Sequence, residues 1–316
     1  MMVAWLGVHM SRSLALLSLL TWACTPDWRK NESPSKDTAS ESDTDTDTDT
    51  DADTDTDTDT DATFPITSVP EEHAAFGEYF SKYTTAFHVH VFAMASVPDE
   101  DVQHCARVIA QYLDNDEDGV ADDPAVVSAL QAQGGAGMVM FGTESEIETS
   151  GIFESDLPER MRLQDLYATE TFPEGSEAAG RFDATLEEVL HLLQTAGISQ
   201  IYQDGLGVDP ASELAAAMDL ARGGHFEDIP SSYPEEAWYH YDDWTCDYEC
   251  MMVEYFYWGL TSMMGAQNYG NRCEEIAHEW EACTPEQVQS MDPTLYALLT
   301  NPAYNLPSIL PDSSYR

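Results

Sequence analysis

The sequence predicts an α+β fold: a small N-terminal sheet layer with helices, followed by a larger, mainly helical C-terminal part. Three observations lead there. Residues 84-95 (Thr-Thr-Ala-Phe-His-Val-His-Val-Phe-Ala-Met-Ala) alternate with the period of two that a half-buried strand requires, and 136-142 (Ala-Gly-Met-Val-Met-Phe-Gly) form a short apolar run suited to a buried strand. Beyond Phe182-Asp183 the apolar residues recur at helical spacing. In chain order, 71-82 reads as a short helix after Pro70, and 99-113 as a helix behind Pro98-Asp99, with Val102, Cys105, Val108, Ile109 and Leu113 on one face. A further helix follows the acidic turn at 114-123. The C-terminal part reads as helices over 184-196, 210-222, 248-265, 271-282, 285-290 and 294-300. No glycine-rich phosphate loop, dinucleotide-binding fingerprint or Gly-x-Ser-x-Gly elbow is present.

Ahead of this body lies a different kind of chain. Residues 10-24 (Met-Ser-Arg-Ser-Leu-Ala-Leu-Leu-Ser-Leu-Leu-Thr-Trp-Ala-Cys) have a positive start, a short apolar run and a small residue before Cys24. This resembles a bacterial lipoprotein signal, which implies residues 1-23 as a signal peptide, acylation at Cys24, and an exported protein on an outer membrane or cell surface, with the membrane as partner through the anchor. Residues 24-62 are dominated by Ser, Thr, Asp, Glu and Lys, and 43-61 carry ten carboxylates in nineteen positions. Such a tract buries no core and is kept extended by like-charge repulsion, so it reads as a disordered acidic tether. Residues 63-316 then read as one globular α+β domain.

Charge narrows the partners. With 12 Lys+Arg against 59 Asp+Glu the net charge is -47, which excludes electrostatic binding to nucleic acid. Removing residues 1-62 still leaves 8 basic and 45 acidic residues. No stretch after residue 24 approaches the ~18 apolar residues of a membrane span. Five cysteines follow Cys24; Cys105 falls on the apolar face of its helix as a buried thiol. Cys246, Cys250, Cys273 and Cys283 can form two bridges in three ways, which an oxidising compartment favours over a four-cysteine zinc site.

Residues 114-123 read Asp-Asn-Asp-Glu-Asp-Gly-Val-Ala-Asp-Asp between two helices. Asp114, Asp116, Asp118, the Val120 carbonyl and Asp122, with Gly119 at the sharp turn, match the oxygen-ligand positions of an EF-hand loop and so predict bound Ca2+ as a structural clamp. The closing position holds Ala125 in place of a bidentate Glu, which leaves Asp123 or another carboxylate to complete the shell.

Within 183-194, Glu187 and His191 stand four apart on one helix face with Glu188 beside them, in the pattern Glu-Glu-x-x-His. This resembles the zincin metallopeptidase motif His-Glu-x-x-His, of the gluzincin type, with the first histidine replaced by glutamate. The resemblance implies Glu187 and His191 as ligands of Zn2+ or another divalent metal, with Glu188 as general base toward a metal-bound water. It also implies a third ligand on a later helix, Glu254 in Met-Met-Val-Glu-Tyr-Phe-Tyr-Trp-Gly, and a phenol, Tyr255 or Tyr257, for the oxyanion, of which Tyr257 is the choice. The expected function is a surface-tethered, divalent-metal-dependent hydrolase acting on a peptide or other small substrate. The alternative is a noncatalytic calcium-binding surface lipoprotein or binding module, in which Glu187 and His191 form an exposed ion pair. Further candidates are His88 and His90 on one strand face, His225, His240, and the aromatic run Trp238, Tyr239, Tyr241 and Trp244.

Overall fold

A computed structural model describes residues 64–316; the signal segment, Cys24 and the acidic tether lie outside the described residues. The fold is α+β, built on a four-stranded sheet of order β1-β2-β3-β4: β1 Lys82–Ala86, β2 Val89–Ala93, β3 Ala136–Phe141 and β4 Arg162–Tyr167. β1 and β2 pair antiparallel, and β2-β3 and β3-β4 pair parallel. The parallel pairs demand crossovers, as adjacent parallel strands cannot be joined by a tight turn. Helices α1 Asp99–Leu113 and α2 Pro124–Leu130 connect β2 to β3, while α3 Glu144–Ser150 and α4 Leu157–Arg160 connect β3 to β4.

Alternation along β3 separates two cores. Met138 and Met140 face the large core built with α1, and Val139 and Phe141 face a smaller one with Phe76, Phe80, Phe92 and Leu157. Every β3 side chain is therefore buried, which explains its unbroken apolar run. After β4 the chain is helical: α5 Ser176–Ala179, α6 Thr185–Leu193, a π-helical turn Gln194–Ile198, then α7 Ser199–Ile201, α8 Gln203–Leu206 and α9 Glu213–Ala221. α10 Tyr248–Met263, α11 Arg272–Ile276, α12 Pro285–Met291 and α13 Pro293–Leu299 complete it. Among the described residues no helix is long and apolar enough to cross a membrane.

Three local expectations are corrected. Residues 71-82 form no α-helix but two 3-10 turns, Glu71–His73 and Phe76–Glu78. Phe76 and Phe80 pack onto the sheet, with Phe76 stacked on Phe92 at 4.3 Å between centroids and Phe80 against Phe141. Residues 84-95 are not one strand: the chain reverses at Phe87-His88, both in the left-handed region (φ 45° and 67°), so β1 folds back on β2. Two-residue hairpin turns usually announce themselves with Asn or Gly, and neither is present here. His88 thus sits in the turn and shares no strand face with His90. The third correction is at 271-282, where only Arg272–Ile276 is helical. The Cys273–Cys283 bridge closes this stretch into a loop, and Trp280 pairs with Tyr239 as an isolated β-bridge.

The cysteines resolve into Cys246–Cys250 and Cys273–Cys283, with Cys105 a buried free thiol. Two bridges are consistent with an extracellular protein.

His90 is packed between His73, Tyr83 and Phe92, and its Nδ1 lies 2.8 Å from the Tyr83 hydroxyl. Burial, then the neighbouring His73 and His88, lower its pKa to about 4. An imidazole held neutral in the folded state contributes stability above its unfolded pKa of ~6.5, and that contribution is lost as pH falls toward the folded value. The difference in melting temperature between the wild type and His90→Gln, measured from pH 7 to pH 4, should therefore shift against the wild type as pH falls.

Candidate metal centre

Helix α6 is buried on every side, which its sequence pattern did not announce. Leu186, Val189, Leu190 and Leu193 fill the core, but Glu187, Glu188 and His191 are buried too, at 2, 4 and 3% exposure. The alternative of an exposed Glu187-His191 pair is thereby excluded. Neighbours explain the enclosure: α6 lies on β4 and is flanked by α1 and α10. Its first turn is tied to α1 by a buried pair, His104 Nε2 to Asp183 Oδ2 at 2.7 Å, while Asp183 Oδ1 accepts the Thr185 amide at 3.2 Å.

α10 brings Glu254, 1% exposed, against this helix. Asp247 caps α10 by accepting the Cys250 amide, and the Cys246–Cys250 bridge braces the same turn. One ligand atom each from Glu187, His191 and Glu254 lies within 4.8 Å of the other two, a separation that one ion with bonds of ~2 Å spans. His191 Nε2 is 3.7 Å from Glu254 Oε1. The buried atoms Glu187 Oε2 and His191 Nε2 have no hydrogen-bond partner among the described residues. Orphaned donors and acceptors cost about 1–3 kcal/mol each, and a cation shared by these atoms removes that cost. The residues thus fit a divalent metal, and the structure brings all three sequence-predicted ligands together.

The surroundings sharpen the electrostatic problem. Glu188 Oε2 accepts from Gln164 Nε2 at 2.6 Å and stands 3.6 Å from His191 Nδ1, on the ring edge away from Glu254. Burial, followed by the charges of Glu254 and Glu188, pushes the Glu187 carboxyl well above the ordinary range, opposed by Arg272. Glu188 is pushed the same way by burial, then by Asp165 and Glu170. Burial lowers His191, with Glu254 and Asp165 acting in the other direction. Tyr257 hydrogen-bonds Glu187 and receives the Gln267 amide at 3.2 Å. Tyr255, the other phenol candidate, instead donates to Asp292 at 2.5 Å and belongs to the core.

Sequence reading missed β4 and with it Gln164 and the buried Asp165, whose hydroxyl donor is Tyr167 at 2.8 Å. The alternation of Met161, Leu163 and Asp165 was the available signal, obscured by a carboxylate at a core position. Arg272 and Gln267, which complete the polar surroundings of Tyr257, carried no motif at all.

His191, Gln164 and Thr195 reach the wall of a cavity of about 500 Å³ that also takes in Arg162, Asp209 and Glu249. A pocket of this size suits a small molecule or several residues of peptide. Of the two roles open to the aromatic run, cleft lining or core cover, it does not line this cavity. Tyr239 and Tyr241 are core residues, Trp238 donates to Asp292, and Trp244 is 85% exposed. His225 pairs with Asp219 and Glu227, and His240 with the Ala237 carbonyl.

The acidic loop between α1 and α2 gathers Asp114, Asp116 and Asp122, again with one oxygen each inside 4.8 Å. Gly119 takes the expected left-handed turn (φ 87°), and Asp114 Oδ2 accepts its amide at 2.9 Å. Asp118, whose Oδ1 accepts the Val120 amide at 2.8 Å, is not one of the three carboxylates so gathered. Asp123 is not a closing ligand: its side chain caps α2 through the Ala125 and Val126 amides and accepts from Tyr202.

Compared with protein families, curated proteins and solved structures, the chain matches none. What fold and site together define is an α+β protein with a buried Glu/His group able to hold a divalent metal beside a cavity.

Metal-free protein should lose stability as pH rises above ~4.5. The unfolded chain then releases its carboxyl protons first, while the raised Glu187 and Glu188 retain theirs. Glu187→Gln should flatten this decline and, without metal, melt higher than the wild type. Adding Zn2+ in excess should raise the wild-type melting temperature by linkage, ~2.7 kcal/mol at a hundredfold excess over Kd, and should leave His191→Ala unmoved.

Proposed function

We propose that the protein is a surface-tethered, divalent-metal-dependent hydrolase of zincin-like design acting on peptides, with Glu187, His191 and Glu254 as ligands. The observation that supports this reading most is the convergence of these three buried groups, two of them with orphaned atoms, beside a cavity. Loops and aromatic surfaces alone would suit a binding module, but a module has no use for buried carboxylates gathered on one imidazole. When bound, the metal supplies Lewis acidity and acidifies water. Two carboxylates in the ligand set reduce that effect relative to a histidine-rich site and favour zinc or a harder divalent ion.

The chain's own residues supply the rest. Glu188 is buried and held by Gln164, which lines the cavity, and is the group assigned to accept a proton from attacking water. Tyr257 is buried beside Glu187 with its hydroxyl held by Gln267, and it donates to the oxyanion that develops on the scissile carbonyl. Glu187, His191 and Glu254 would hold the ion, His191 through the Nε2 edge that faces Glu254. Burial raises the Glu188 carboxyl above the ordinary range, so activity should rise with pH as this base ionises. Ca2+ in the 114-122 loop acts as a clamp between α1 and α2, and a lipid on Cys24 with the acidic tether holds the enzyme off the membrane.

Glu188→Gln should keep the metal while lowering kcat by ~10^2 to 10^4, the usual contribution of a general base. Metal content by elemental analysis and hydrolysis of a quenched peptide library together check this: loss of metal would make Glu188 a ligand, and unchanged turnover would end the zincin mechanism. For the loop, Ca2+ should raise the melting temperature of the wild type but not of Asp116→Ala; a wild type indifferent to chelation would leave an acidic turn without an ion.

A further inference from the structure

The cavity beside the metal centre is polarised. Three elements contribute carboxylates to its wall: Asp204 from α8, Asp209 from the following loop and Glu249 from the first turn of α10. Arg162, at the start of β4, supplies a guanidinium. The wall is joined to the candidate centre by His191, 3% exposed, whose Nε2 has no hydrogen-bond partner among the described residues, and by Gln164, which holds Glu188. Asp209 and Glu249 are close enough to act on each other: after burial, the charges of Asp247 and Asp209 raise the Glu249 carboxyl. Two like charges sharing one wall are relieved by a cation placed between them.

We propose that Asp204, Asp209 and Glu249 form a subsite for a basic side chain, so that the cavity selects peptides carrying Lys or Arg next to the bond presented to His191. This rests on the hydrolase reading for what happens to the peptide, but not for its recognition. The cationic head meets the carboxylates in the partly exposed wall, where an ion pair is screened and modest, while the aliphatic stem lies along Val208 and Val253, which also line the cavity.

The test is binding, measured by fluorescence anisotropy with metal-loaded Glu188→Gln protein and a labelled hexapeptide whose one variable residue is Arg, Gln or Glu. The Arg peptide should bind about tenfold tighter than the Gln peptide, with the gap shrinking as salt rises. Asp209→Asn with Glu249→Gln should erase that gap. Glu71→Gln with Glu72→Gln, which removes two exposed charges from the region beside β1 at the opposite edge of the sheet, should preserve it. An equal loss in both double variants would assign the preference to the overall acidity of the chain and overturn the subsite, as would a gap surviving in the first. Hydrolysis by the wild type is scored separately. A preference without turnover removes the catalytic reading alone, and turnover indifferent to the variable residue removes the subsite alone.

Discussion

Everything around α6 follows from one electrostatic constraint: Glu187, Glu188, Glu254 and Asp165 are all removed from water within reach of one imidazole. Ionised carboxylates in such a place cost several kcal/mol each unless compensated, and breaking the compensation of a buried charge is among the most destabilising changes a core can suffer. The protein's own answers are partial. Gln164 satisfies Glu188, Tyr167 satisfies Asp165, Tyr257 and Arg272 act on Glu187, and His191 stands between Glu188 and Glu254. A divalent cation held by the Glu187-His191-Glu254 group would balance what remains.

The fold reads as a frame for holding that group. β4 supplies Gln164 and Asp165 from below α6, the His104-Asp183 pair ties the start of α6 to α1, and the braced first turn of α10 sets the height at which Glu254 enters. At its far end α6 loosens into a π-helical turn, a feature often found beside functional sites. Gly197 lies there against α2, where an added Cβ would come within 2.9 Å of Val126. Asp123 caps α2 and receives Tyr202 from just beyond α7, so the acidic loop and the metal helix are packed through shared neighbours. The C-terminal residues close over that loop, with Tyr315 donating to Asp114 at 2.5 Å and Asn115 accepting the Ser308 and Ile309 amides.

Local pattern was enough for elements whose environment repeats along the chain. Helix α1 was legible to the residue because one face is apolar and a proline precedes it, and β3 because a strand buried on both sides has nothing polar to interrupt it. Glu-Glu-x-x-His was legible because helical periodicity alone places Glu187 and His191 on one face, and Glu254 because a carboxylate in an aromatic helix demands a reason. The hairpin at Phe87-His88 was hidden because its left-handed turn uses residues that do not advertise one. β4 was hidden because its aspartate is acceptable in a core only where Tyr167 and the neighbours of α6 meet it.

By itself, then, the sequence determined the α+β class, the strong acidity of the chain, the acidic loop's turn and the identity of three candidate ligands, all properties carried by composition or by residues within a few turns of each other. Tertiary structure alone decided which cysteines pair, that Tyr255 is tied to Asp292, that Asp123 caps a helix instead of closing the loop, and that Arg162, Asp209 and Glu249 share a wall with His191. The physical reason is the range of the interactions. Helical phase acts over four residues, whereas the burial that shifts a carboxylate's pKa, and the partner that relieves it, arrive from segments dozens of residues away and exist only once the chain has closed around them.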